Sequence, residues 1–470
     1  MGLEKVDLVR TIEGIKAGTV LLTELDLAHN FIGSLVERLA AALEENDSIR
    51  TLDLTCNNVG DLSASRLAAT LKHNKSLHTL VLKGNTIGEK GAVALAEALE
   101  ENNTLTTLDM SCNFVDEAAG ARLIRSLTRQ AALLHLELAF NSVRGGGAHQ
   151  LGAALAAGLP LRRAGLAKNL IAQAGCEFLA PGLAASATLT DLDLSGNCIG
   201  DAGAEHIAKA MQCNRSVLTL VLADNTIRER GAQALGRMLA ENSTITALDL
   251  SKNHMWEDGA AVLAGSIGSN PSVQRLSLTS SGIRMENTGP LAAAMERNTA
   301  ITDLNLACNA IEDVGAALLV GTLMNNRTLR SLDMTFNNLR DAGAGHIGEG
   351  LRKNKGLTSL CLEDNYIGET GANQLAEALA DNNTLTVLDL SQNKFSEKCS
   401  EAVAASLGEH GGRVVLKHER QTLKAGISPT HSLSTATTQS PDQSPIGTPR
   451  GLASKTPTPP PPLQLRRPGL

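Results

Sequence analysis

The eight cysteines and eleven histidines are the residues best equipped for chemistry, and their spacing argues against it. Cys56, Cys112 and Cys308 each stand immediately before an asparagine. Strands two apart hold Cys56 and Cys112 about 10 Å from each other at ~4.8 Å per strand, beyond the ~7 Å a disulfide spans. The three read as buried free thiols, and eight cysteines in 470 residues make no disulfide framework. His206 and His346 lie 140 residues apart in one helical slot, which fits duplicated packing better than a metal site. Gly84 to Lys90 has glycines and a lysine, but not the spacing of a phosphate loop. No H-E-x-x-H, C-x-x-C or G-x-S-x-G occurs. No catalytic residue, metal or cofactor is therefore assigned. What remains is charge: Glu24, Asp26, Asp53, Asp109, Glu137, Asp191, Asp193, Asp249, Asp303, Asp333 and Asp389, opposed at equivalent positions by Arg163 and Arg275 alone.

Those acids are positioned by a repeat. The pattern L-x-x-L-x-L-x-x-N closes at Asn30, Asn57, Asn85, Asn113, Asn141, Asn169, Asn197, Asn225, Asn253, Asn309, Asn337, Asn365 and Asn393, with Ser281 in the one gap. These define units 1 to 14. After a first step of 27 residues every step is 28. Each unit reads as a strand, with its two leucines on one face at period 2, followed by a helix with an i, i+4 stripe such as Leu95 and Leu99. The acids are the third and fifth motif residues, on the opposite face of the strand. Nine units place Gly six residues past the Asn, letting the helix start close to the strand. Ten units end their helix with Asn, which tolerates the left-handed backbone that stops a helix. The strand Asn is expected to turn its amide inward onto turn backbone groups, since buried polar groups need partners.

The fingerprint L-x-x-L-x-L-x-x-N-x-I-G with Gly-Ala-x-x-Leu-Ala-x-x-Leu behind it, as in Leu77 to Leu99, resembles the ribonuclease-inhibitor-like class of leucine-rich repeats. The resemblance covers roughly residues 21–410. That repeat is shared by ribonuclease inhibitor, NOD-like receptors, Ran GTPase-activating proteins and ciliary repeat proteins. It implies an α/β right-handed solenoid, a horseshoe with the parallel sheet on the concave side and helices on the convex side. A longer period accompanies it. Residues 51–113 match 331–393 at 33 of 63 positions, whereas adjacent units 51–78 and 79–106 match at 11 of 28. Distant blocks resemble each other more than neighbours do, which indicates duplication of a five-unit block. The seams are the least regular: Arg144-Gly145-Gly146-Gly147, Ala164 and Pro181 near the first, Ser281 and Gly289-Pro290 near the second.

The expected organisation is a cap over 1–20, with Leu3, Val6, Val9, Ile12 and Ile15 on a short helix, then about fourteen repeats and a C-terminal cap over 21–424. Val414-Val415-Leu416 is a last partial strand. A Pro/Ser/Thr-rich tail over 425–470 is expected to be disordered. The tail holds ten of fourteen prolines and a net charge of +3, leaving −10 for the rest. Ser428, Ser440, Ser444, Thr448, Thr456 and Thr458 precede proline and are candidate phosphorylation sites.

The net charge of −7 disfavours nucleic acid, and no run of 18 apolar residues offers a membrane span. MGLEKVDLVR lacks the apolar core of a secretory signal. A cytoplasmic, monomeric, non-catalytic scaffold is expected, binding a protein partner with a basic segment on the concave face through Asp53, Asp109, Glu137, Asp193, Asp249, Asp333, Asp389, Arg163 and Arg275. A second reading takes Leu-Asp-Leu as mere class consensus. The functional alternative is a small-GTPase regulator like the Ran GTPase-activating class. That class typically carries an acidic C-terminal segment, where this chain has a basic one.

Overall fold

The computed structural model describes residues 5–129, 132–255, 260–408 and 413–415. Leu3, Leu416, the tail and its six Ser/Thr-Pro steps lie outside them. Fifteen three-residue strands form one sheet in sequence order, parallel throughout. Pairing is in register, Leu52 opposite Leu80 and Leu80 opposite Leu108. The sheet runs without interruption through both seams, from His135 to Arg163 to Asp191 and from Ala247 to Arg275 to Asp303. The last partial strand is present as Arg413–Val415, beside Val387–Asp389.

Strands pair at ~4.8 Å, whereas packed helices keep ~8–10 Å between axes. A stack of strand–helix units must therefore bend, with the sheet inside. Both motif leucines are fully buried, as at Leu80 and Leu82, and Leu95 and Leu99 pack beneath them from the helix. An isolated unit would leave these faces in water, so burial comes from stacking.

The strand asparagines form a ladder. Asn85 Nδ2 donates to the Leu54 carbonyl of the preceding unit (2.9 Å) and to its own Leu82 (2.9 Å). Its Oδ1 accepts from the N–H groups of Asn57 (3.0 Å) and Val59 (2.9 Å). The inward-turned amide is as expected. Ser281 fills this role poorly: its Oγ lies 3.5 Å from the Leu250 and Thr279 carbonyls. The residue before each ladder position has positive φ in all fourteen units, from His29 (61°) to Gln392 (59°), with Gly84 and Gly196 among them. Cys56, Cys112 and Cys308 sit in this turn slot. They are free, but half-buried or exposed and not buried, because the turn points its side chain out of the core.

The helix-ending asparagines behave differently from expectation. Asn74, Asn102 and Asn214 are extended (φ −65° to −90°, ψ 124° to 140°), not left-handed. They are buried, and their side chains build a second ladder. Asn102 Nδ2 caps the Leu71 carbonyl (2.7 Å) of the preceding helix, and its Oδ1 accepts from the N–H groups of Thr104 and Leu105. The amide ends the helix by satisfying carbonyls across the unit boundary.

Helix starts are also capped from the unit before. Asp61 Oδ1 accepts from Gly88 N–H (2.7 Å) and Gly91 N–H (3.0 Å). Asp201 and Asp341, each 140 residues further on, do the same for Arg228 and Gly231, and for Gly368 and Gly371. The glycines six past the Asn leave room: a Cβ on Gly203 would meet Ile199 Cγ2 at 2.4 Å.

The N-terminal helix spans Lys5–Lys16 and buries Leu8, Ile12 and Ile15 against unit 1. At the first seam the helices Arg144–Ala156 and Ala172–Ala185 touch backbone to backbone. A Cβ on Gly152 would lie 2.3 Å from the Phe178 carbonyl oxygen, and one on Gly182 2.1 Å from that of Gly152. At the second, a 3-10 turn (Met285–Asn287) precedes a shortened helix Thr288–Arg297. Pro290 sits in its first turn, where its missing N–H costs nothing.

Candidate functional site

The open face of the sheet presents the third and fifth motif residues, flanking a buried central leucine in every regular unit. The fifth-position acids share one local geometry. Asp53 Oδ1 accepts from Thr55 N–H (2.8 Å), Asp109 from Ser111, Asp193 from Ser195 (2.9 Å), Asp333 from Thr335 and Asp389 from Ser391. One carboxylate oxygen thus closes the strand's last turn. Asn305 does this equally well for Ala307 (2.8 Å), so the turn needs an acceptor and not a charge. Asp53, Asp109, Asp193, Asp333 and Asp389 are half-buried.

Four site residues depart from a simple acidic row. Asp249 is buried, 6% exposed, between the short side chains of Ala247, Ser251 and Ser277. Burial pushes its carboxyl above the usual carboxylate range, against the lowering effect of its bonds to Ser251. Glu137 is bound to Arg163 Nε on the next strand. Its carboxylate lies over Gly165, where any Cβ would collide with Oε2. Burial raises the Glu137 carboxyl too, opposed by Arg163. Arg275 is exposed. Glu137 and Arg163 therefore answer each other. The signal for the pair was in the sequence, in glycine replacing an acid at 165 beside the basic exception at 163.

Five-unit periodicity shows on this face as well. Val81, Val221 and Cys361 stand between aspartate pairs: Asp53 and Asp109, Asp193 and Asp249, Asp333 and Asp389. Burial pushes the Cys361 thiol up to about 11, which keeps it protonated at neutral pH. Cys361, Glu363 and Asp389 are the group among the described residues close enough to share an ion, within 4.8 Å of one another.

The aromatics were missed altogether. Phe31, Phe114, Phe140, Phe178 and Phe336, five of six phenylalanines, are exposed, as is Tyr366. All but Phe178 flank a ladder Asn, on the turns along the carboxyl edge of the sheet. Adjacency to that Asn, outside the apolar slots, was the available signal.

The sequence profile described as Leucine Rich repeat matches residues 45–68, 73–96, 101–115, 185–208, 213–236, 241–264, 297–320, 325–348 and 381–397. Those matches recur with the 28-residue unit and fall on the strand–helix units described above. The chain is a leucine-rich repeat protein. Among solved structures, this leucine-rich repeat protein is similar to an internalin from Listeria monocytogenes. That match has 17% identity and a TM-score of 0.44, covering 87% of this chain and 95% of that one. It also matches leiomodin-1 actin-binding site 2, at 26% identity and a TM-score of 0.26 over 30% of this chain and 82% of that one. A search of curated proteins finds no match. No helix among the described residues of the leucine-rich repeat protein is long and apolar enough to cross a membrane.

Proposed function

We propose that this leucine-rich repeat protein is a non-catalytic, cytoplasmic scaffold that binds a basic segment of a protein partner on the open face of its sheet. The organisation proposed is a cap over 1–20, repeats and cap over 21–424, and a tail over 425–470. The reading is carried by one observation. Acids recur along the face at Asp53, Asp109, Asp193, Asp333 and Asp389, while the turn they close requires only an uncharged acceptor, as Asn305 demonstrates. Charge beyond what the fold uses is available for complementarity, which governs the rate and specificity of association.

The test replaces Asp53, Asp193 and Asp333 with Asn in the full chain. Proteins captured from lysate by wild type and variant are compared at low and high salt. Retention by wild type, lost in the variant and at high salt, is the expected result. An identical captured set would leave Leu-Asp-Leu as repeat consensus.

A further inference from the structure

The third five-unit block differs from the other two at one place on the open face. Val81, Lys83 and Asp109 of the first block correspond to Val221, Ala223 and Asp249 of the second, and to Cys361, Glu363 and Asp389 of the third. The aspartate is kept, while the other two positions change to metal-ligating groups. The fold asks for neither group, since valine and alanine serve the same slots in the second block. Where the first block supplies a cation of its own, Lys83, the third has a carboxylate in its place and a thiol beside it.

The backbone brings the three donors together. Cys361 and Asp389 are register partners on adjacent parallel strands, ~4.8 Å apart. Glu363 follows Cys361 by two residues, with Leu362 fully buried between them, so both stand on the open face. The three ligand atoms lie within 4.8 Å of one another, on side chains that are half-buried. Asp389 Oδ1 closes its turn through the Ser391 N–H (2.9 Å), which leaves Oδ2 for another partner, and Asp389 enters no ion pair among the described residues. Thr335 holds the sulfur from the strand on the other side, with Oγ1 3.1 Å from Sγ. Thr335 donates its one hydroxyl proton to Asp333 Oδ1 (2.6 Å), so the thiol is the donor to Thr335. Such outer contacts orient a metal ligand.

A thiolate with two carboxylates suits a borderline cation such as Zn2+ better than Mg2+ or Ca2+, which take oxygen ligands. Tetrahedral Zn2+ keeps sulfur and oxygen ligands about 3.6 Å apart, so small side-chain rotations close the site. Three protein ligands leave the fourth position to water.

We propose that Cys361, Glu363 and Asp389 form a zinc site that ties unit 13 to unit 14 across the open face. Binding replaces the S–H bond of Cys361 with a sulfur–zinc bond and releases the proton to solvent. The site does not depend on a partner binding the face.

The test uses the full chain, stripped of metal, with Co2+ as the probe, because a thiolate–cobalt bond gives a charge-transfer band in the near ultraviolet. Sub-millimolar Co2+ should raise that band, and Zn2+ should abolish it by displacement while Mg2+ and Ca2+ leave it. Cys361→Val restores the residue of the other two blocks and should erase the band in a folded protein. Glu363→Ala and Asp389→Asn should each weaken cobalt by at least about ten-fold, the loss that even an outer-shell partner costs, and Asp109→Asn in the first block should change nothing. Zn2+ should slow amide exchange in units 13 and 14 of wild type and not of Cys361→Val. No band, an equal band in Cys361→Val, or full affinity without Glu363 or Asp389 overturns the site. Displacement by Ca2+ as readily as by Zn2+ overturns it too, leaving an acidic surface only.

Discussion

Asp249 and Asn305 stand in the same slot two units apart, and each accepts a hydrogen bond from the N–H two residues on. The difference between them is a charge, which at 249 is buried. A carboxyl whose folded value is raised above the unfolded ~3.9 costs stability once ionised. That cost is absent below the unfolded value and fully present above the folded one. Asp249→Asn should therefore raise stability at pH 7, and the gain should vanish as pH falls below about 4; urea unfolding at both pH values reads it. Ser281→Asn should also stabilise. The restored amide would reach the Leu250 carbonyl and offer an acceptor to unit 9, worth about 1–3 kcal/mol at ~1 kcal/mol per buried hydrogen bond. Slower amide exchange in units 9 and 10 would show it. The burial of Asp249 was not legible in the sequence, because the aspartates of the same slot in other units, such as Asp53 and Asp193, are half-buried. The ladder role of Asn85 was legible, because a polar residue recurring every 28 positions among leucines has to be buried and paired.

Nine of the described helices are ended by an asparagine amide that reaches back to the helix before it, and several are begun by an aspartate supplied from that same neighbour. Boundaries between units are thus held by directed polar contacts as well as by leucines. Asp201→Ala removes the acceptor for Arg228 and Gly231 N–H and should cost about 1–2 kcal/mol, seen as faster exchange at the start of the unit 8 helix. Gly182→Val should be more damaging, since the added Cβ falls 2.1 Å from a backbone oxygen. Backbone must move, and thermal unfolding should begin at lower temperature. The strand–helix alternation was readable from periods of 2 and 3.6 in the leucines. How Asn102 ends its helix was not, because Asn can stop a helix by a left-handed turn or by its side chain, and only the neighbouring carbonyl of Leu71 decides. The irregular glycines of the first seam pair across two helices, where Gly152 and Gly182 let backbone meet backbone.

Over the whole molecule the 140-residue period is a period of contacts. Asp61, Asp201 and Asp341 make the same pair of bonds, which Asp313 makes as well for Arg340 and Gly343, and Val81, Val221 and Cys361 fill the same place on the sheet. Unit 12 should therefore fit against unit 6 in place of unit 7, with Asn337 Oδ1 meeting the Asn169 N–H that Asn197 meets now. Deleting residues 191–330 should leave a folded protein whose circular dichroism per residue is unchanged and whose unfolding stays cooperative; aggregation or lost helicity would show that the blocks are not interchangeable. The unbroken sheet, in which each strand pairs only with its neighbours, also has a mechanical meaning. Pulled from its ends, the stack has no long-range contact to hold it, so units should peel away singly. Each would release about 95 Å of chain at ~3.4 Å per residue, so the folded stack would act as a reel that pays out slack in even lengths and limits the tension passed between whatever is attached at its two ends.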